Sequence, residues 1–98
     1  MSTFKEKINS DIPTLVDFYA PWCGPCKTMM PVLDALKERL GDKINILKVD
    51  VDKNEEAAKK FKIMGVPTFI LFINGDIKWR QPGTFTLNQL LEIVKSHS

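Results

Sequence analysis

The chain is poor in the residues that build metal centres and disulfide scaffolds. It holds two cysteines and one histidine in 98 residues. Small secreted domains stapled by disulfides carry more cysteines than that. A structural zinc site takes four ligands, and His97, the sole histidine, stands in the C-terminal tail. No bound metal or other cofactor is expected. Long apolar runs are lacking too, so no segment is expected to span a bilayer. Charge of one sign is also scarce: the net charge is +2, with no run of five like charges. That balance argues against nucleic acid or an anionic membrane as the main partner. The first eleven residues mix both signs of charge and contain no apolar core of a secretory signal, so a cytoplasmic location is expected.

What is present fits a globular protein. The apolar content is 44%, ordinary for a folded domain. A domain of this length buries roughly two thirds of its unfolded surface, enough for a core without staples. Repeats, linkers and low-complexity segments are missing, so residues 1–98 are expected to form one domain. A short helix is predicted over 3–9, with Phe4 and Ile8 on one face. Residues 14–20 are apolar on both alternating faces, as in a central strand covered on both sides. Residues 26–40 place Met29, Met30, Val32, Leu33, Leu36 and Leu40 at helical spacing, and Gly41 marks the stop.

A second buried strand is predicted over 44–51. Asp52-Lys53-Asn54-Glu55 has the pattern of a capping box and predicts a helix reaching about Phe61. Strands over 68–73 and 76–80 flank Asn74-Gly75, a strong hairpin signal. Thr86 and Gln89 predict the cap of a last helix with Leu87, Leu90, Leu91 and Val94 as its apolar stripe. Two strands that enclose a helix should run parallel with a right-handed crossover. The expectation is α/β: a four-stranded mixed sheet, two parallel strands plus an antiparallel hairpin, with helices on both faces.

The chemistry concentrates at Trp22-Cys23-Gly24-Pro25-Cys26, between a buried strand and a helix. Thiol exchange needs a thiolate, and free N–H groups at a helix N-terminus stabilise one on Cys23. Cys26, one turn on, is within reach of it. Pro25 is harmless there because its missing N–H would be unpaired anyway. Redox chemistry is the favoured reading over half a zinc knuckle or two structural thiols. Cys23 is expected to be solvent-accessible and Cys26 buried.

Asp17 stands among Leu15, Val16, Phe18 and Tyr19. Burial raises the pKa of such a carboxyl and lets it move protons near neutral pH. The functional reading is a proton relay to Cys26 through water; the other is a satisfied polar group at a strand bend. Lys48, on the neighbouring strand, either pairs with Asp17 or snorkels to solvent. A cis bond before Pro67 would turn the Val66 backbone outward toward a bound peptide. Met29 and Met30 read as core. Met64 reads either as core or as exposed beside the site, while Trp79 and His97 suggest no role.

These residues make the chain resemble the thioredoxin family. The likeness runs from about Phe4 to the C-terminus. It rests on Asp17-Phe18-Tyr19-Ala20-Pro21-Trp22-Cys23-Gly24-Pro25-Cys26-Lys27, then Pro31, Lys48, Gly65-Val66-Pro67-Thr68 and Gly83. The resemblance implies the thioredoxin fold and a thiol–disulfide oxidoreductase that reduces protein disulfides through a reversible Cys23–Cys26 disulfide. It implies that Cys23 attacks, Cys26 resolves, Asp17 relays the proton and Lys48 stands beside it. Pro67 would be cis. Trp22, Gly24, Pro25, Val66, Pro67 and Gly83 would line the substrate groove.

Implied partners are disulfide-containing proteins and a thioredoxin reductase, and the chain is expected to be a monomer. The sequence departs from the family in three places. It is too short for the usual first strand, Tyr19 replaces a common Trp, and Pro82 precedes Gly83 without an N–H. An oxidase or isomerase of the same fold is disfavoured by Gly24-Pro25 and Asp17. A non-enzymatic redox-sensing or binding subunit is the other reading.

Overall fold

The structure, a computed structural model, describes residues 4–98. Thr3, the first residue of the expected opening helix, lies outside the described residues. The elements run α1 (Phe4–Ile8), β1 (Thr14–Tyr19), α2 (Gly24–Leu40), β2 (Asn45–Asp50), α3 (Glu55–Lys60), β3 (Thr68–Ile73), β4 (Asp76–Pro82) and α4 (Leu87–His97). The sheet order is β2-β1-β3-β4. β1 pairs parallel with β2 and antiparallel with β3, and β3 pairs antiparallel with β4. This is the four-stranded mixed sheet expected from the element order.

Strand alternation divides the core. Leu15, Phe69 and Leu71 face one way and are covered by Met29, Leu33 and Leu36 of α2 and Leu90 and Val94 of α4. Val16, Phe18, Val49, Ile70 and Phe72 face the other way, under Phe4 and Ile8 of α1, Ala57 of α3 and Phe61. β1 is buried on both faces because it has a strand on each side and helices above and below.

The local signals act through identifiable atoms. Gly41 takes a left-handed φ of 55° at the end of α2, and its N–H bonds to the Lys37 carbonyl. At α4, the Gln89 N–H donates to Thr86 Oγ1 at 3.1 Å, and the Thr86 N–H donates to Gln89 Oε1 at 2.8 Å. Asn74 and Gly75 both have positive φ, 54° and 81°, as a tight hairpin turn requires. Their N–H groups donate to the Ser10 and Ile8 carbonyls at 2.8 Å each, which ties the hairpin tip to the end of α1.

Two sequence expectations are corrected here. α3 starts at Glu55 with Asn54 as N-cap and no side-chain capping bond, so the box read at Asp52 does not form. Met30 is 40% exposed, whereas Met29 is buried. One residue further round the helix carries Met30 off the core face. Trp79, half-buried, packs edge-on against Phe85 with ring centroids 5.3 Å apart.

Candidate active site

The site lies where the chain leaves the carboxyl end of β1. The Cys23 N–H bonds back to the Ala20 carbonyl at 3.2 Å, which turns the chain into α2. Cys23 is the N-cap of α2, in an extended conformation (φ −86°, ψ 114°). It is joined by a disulfide to Cys26, with Cα atoms 5.3 Å apart. The Cys26 N–H donates to Cys23 Sγ at 3.2 Å. An otherwise orphaned amide of the first helical turn therefore points at the first sulfur, the arrangement that favours negative charge there.

The expected asymmetry of the two sulfurs is not seen in this disulfide form. Cys23 is 5% exposed and Cys26 3%. The cause is packing: Ala20, Tyr19, Val51 and Val66 close around the pair. Gly24 and Pro25, by contrast, are exposed in the first turn of α2.

A second loop approaches the pair. The Val66–Pro67 bond is cis, and the Val66 carbonyl oxygen lies 3.7 Å from Cys23 Sγ. Pro67 is buried, and its carbonyl accepts from the Gly83 N–H at 2.9 Å. The structure thus joins Gly83 to the site through Pro67. Beside the sulfurs runs a groove of about 510 Å³ whose walls include Trp22, Asp52, Ile63, Met64 and Val66. Trp22 is 71% exposed, and its indole N–H donates to Asp52 Oδ2 at 2.9 Å. Sequence reading missed that partner. The two residues are 30 positions apart, and the short-range pattern assigned Asp52 to a helix cap instead.

Asp17 sits at the centre of β1 and is fully buried. Alternation puts it on the same face as Leu15, beneath α2, the helix that carries Cys26. Neither carboxylate oxygen has a hydrogen-bond partner among the described residues. Burial pushes its pKa from 3.8 to about 6, and the positive charge of Lys48 partly opposes the rise. Lys48 stands directly across the parallel ladder from Asp17 and is itself exposed. Of the two readings for Asp17, a carboxylate satisfied by the protein's own donors is not what the described residues show. Lys48 influences Asp17 through charge while its own side chain reaches solvent.

Among the described residues, no group of three or more histidine, cysteine and acidic side chains is placed to hold a metal. No helix among them is long and apolar enough to cross a membrane.

Comparison with known proteins agrees with the geometry. The family described as Thioredoxin matches residues 1–96. A thioredoxin of Haemophilus influenzae is 42% identical over 90 residues, covering 92% of this chain and 84% of that protein. The chloroplastic thioredoxin Y of rice is 45% identical over 96 residues, but the chain spans only 57% of its length. Among solved structures, a mutant thioredoxin of Halobacterium salinarum superposes with a TM-score of 0.86 at 32% identity, covering 95% of this chain and 80% of that one. The oxidised mitochondrial thioredoxin 3 of Saccharomyces cerevisiae gives 0.84 at 33% identity, covering 95% and 86%. The chain belongs to the thioredoxin family of thiol–disulfide oxidoreductases, and Cys23 and Cys26 form its redox-active disulfide.

Proposed function

We propose that this chain reduces disulfides in other proteins by dithiol exchange. In the reduced form, the Cys23 thiolate attacks one sulfur of a target disulfide. The Cys23–target bond forms, the target bond breaks, and the leaving thiolate takes up a proton. Cys26 then gives its proton to the Asp17 carboxylate through water and attacks Cys23 Sγ. The Cys23–Cys26 bond forms, two electrons have passed to the target, and its second thiol is released. The observation that carries this reading is a buried carboxylate with no protein partner among the described residues, on the sheet face beneath the helix that holds the second sulfur. A group kept partly protonated near neutral pH suits the deprotonation of a buried thiol.

The target binds across Trp22, Gly24, Pro25, Val66, Pro67 and Gly83. The carbonyl of Val66, close to Cys23, supports pairing with an extended peptide. Lys48 keeps Asp17 from being trapped in its protonated form. The oxidised chain must be returned to the dithiol, and a thioredoxin reductase in a reducing compartment such as the cytoplasm fills that role. The chain acts as a monomer and as one domain over 1–98.

The test is insulin reduction with dithiothreitol as electron source. The wild-type chain is expected to accelerate insulin precipitation, and Cys23→Ser to fall to the uncatalysed rate. Equal rates for the two proteins would leave a non-enzymatic redox sensor as the better reading.

A further inference from the structure

We infer that Met64 is an oxidation site, and that hydrogen peroxide acting there weakens the capture of protein substrates. This rests on the proposed reduction of protein disulfides and concerns the same groove.

The observation is a methionine where the fold has no packing use for one. Met64 is 95% exposed. It follows a backbone reversal at Lys62, whose φ of 53° is unusual for a residue with a side chain. The Arg80 guanidinium donates to the carbonyls of Phe61 and Lys62, which pins that reversal to β4. Met64 is thereby held outward by the backbone on its N-terminal side. On its C-terminal side come Gly65 and the buried Pro67. The side chain stands on the wall of the groove with Trp22, Ile63 and Val66.

The other described methionines differ. Met29 is 1% exposed in the core, and Met30, 40% exposed on α2, is not among the residues that line the groove. An exposed thioether reacts with peroxide more readily than a buried one. In the step, the peroxide O–O bond breaks and one oxygen bonds to the Met64 sulfur. The sulfur is oxidised by two electrons, and the peroxide is reduced to water. The disulfide form of the chain offers no thiolate to compete for the oxidant.

The product is polar on the side of the groove that Trp22, Ile63 and Val66 make apolar; the charged Glu55 and Lys59 also line the groove. A flexible thioether adapts to varied apolar side chains and to aromatic rings such as Trp22. A sulfoxide keeps strong hydration and is desolvated when a protein partner closes over it. Methionine sulfoxide reductases reverse the change, so the modification is a switch and not only damage.

The experiment treats the disulfide form with hydrogen peroxide, removes the peroxide with catalase, and maps peptides by mass. The treated and untreated proteins are then compared with insulin and with a small aromatic disulfide as substrates. Wild type, Met64→Leu and Met30→Leu are run in parallel. Oxygen is expected on Met64 before Met30. The KM for insulin is expected to rise about three-fold on treatment of wild type and Met30→Leu, the scale of one lost apolar contact. The ratio for Met64→Leu is expected to stay at one, and the rate with the small disulfide to stay unchanged in all three. Earlier oxidation of Met30, an unchanged insulin KM, or an equal rise in Met64→Leu would each overturn the inference while leaving the proposed function in place. Failure of the untreated wild type to reduce insulin would remove both.

Discussion

The two faces of the sheet are built to different ends. The core under α1 and α3 is built from apolar and aromatic side chains, and the buried Thr14 and Thr68 at its margins bond to backbone carbonyls. Phe61 is its hub, with ring centroids 5.8 Å from Phe4, 5.8 Å from Phe18 and 5.5 Å from Phe72. The face under α2 and α4 has an apolar core as well, but Asp17 is set into it with neither oxygen bonded to a protein group among the described residues. The comparison teaches that packing and chemistry are kept on opposite sides of one strand. Phe18 and Asp17 are neighbours in sequence, yet they serve different cores because successive side chains of a strand alternate. The apolar face supplies stability that the face with the carboxylate partly gives up.

The strongest way to break this comparison is Phe61→Ala. Removing the hub ring should lower unfolding stability by about 3 kcal/mol, the low end for a truncated phenylalanine because Phe61 is only half-buried. Urea denaturation at neutral pH reads it, and insulin reduction per folded molecule should stay near the wild-type value. A large loss of activity without loss of stability would show that the faces are not separate in function.

Asp17→Asn probes the other face with the opposite sign. Asp17 has a folded pKa of about 6 against an ordinary 3.8. Between those values the folded chain holds a proton that the unfolded chain has released, so the stability of the wild type falls as pH rises through that window. Above it the deficit is complete. The variant lacks the charge, so it should be more stable than wild type by about 1–2 kcal/mol at neutral pH, since its amide still lacks partners. The advantage should shrink to nothing as pH falls below the window. Release of the mixed disulfide, followed by quenched mass analysis, should be slower in the variant and should lose its rise through the Asp17 titration. A less stable variant with an unchanged release rate would remove the carboxylate from the mechanism.

Lys48→Met sharpens the comparison with the smallest effect. The lysine opposes the rise of the Asp17 pKa. Without it the Asp17 titration, followed by carbon NMR of the carboxyl, should move to higher pH. The change in stability should stay within about 1 kcal/mol, since Lys48 itself is exposed. An unmoved titration would mean that solvent screens the lysine completely.

Much of this arrangement can be read before folding, and the reasons are local. The doubly apolar run at 14–20, the Asn74-Gly75 turn and the Thr86–Gln89 cap are each set by a few neighbouring residues, and each forms as expected. Asp17 is conspicuous because a carboxylate in such a run has few explanations. What was misread depends on distant partners. Asp52 matches a capping pattern, but the Trp22 indole takes its carboxylate, and a tertiary partner outcompetes a local one. Cys23 was expected at the surface from its place at a helix start. Val51 and Val66, brought in from two other loops, cover it instead. The cis bond before Pro67 is expected mostly from family likeness, with the placement of Pro67 at the start of a strand beside the site in support, since no short-range pattern encodes it.

The tip of the β3–β4 hairpin is also a joint. Asn74 and Gly75 bond through their N–H groups to the carbonyl of Ser10, just past α1, and to that of Ile8, the last residue of α1, and a side chain added at Gly75 would meet Asn9 Oδ1. Hairpin tips are commonly where chains accept inserted peptides or new termini. This one holds the amino-terminal helix against the body of the fold at the pole opposite the disulfide. For anyone grafting a tag or a sensor into the chain, the turn is therefore the wrong place to cut. The exposed stretch 52–54, which precedes α3 without a side-chain cap, is freer in sequence, but Asp52 there anchors Trp22 and must be kept.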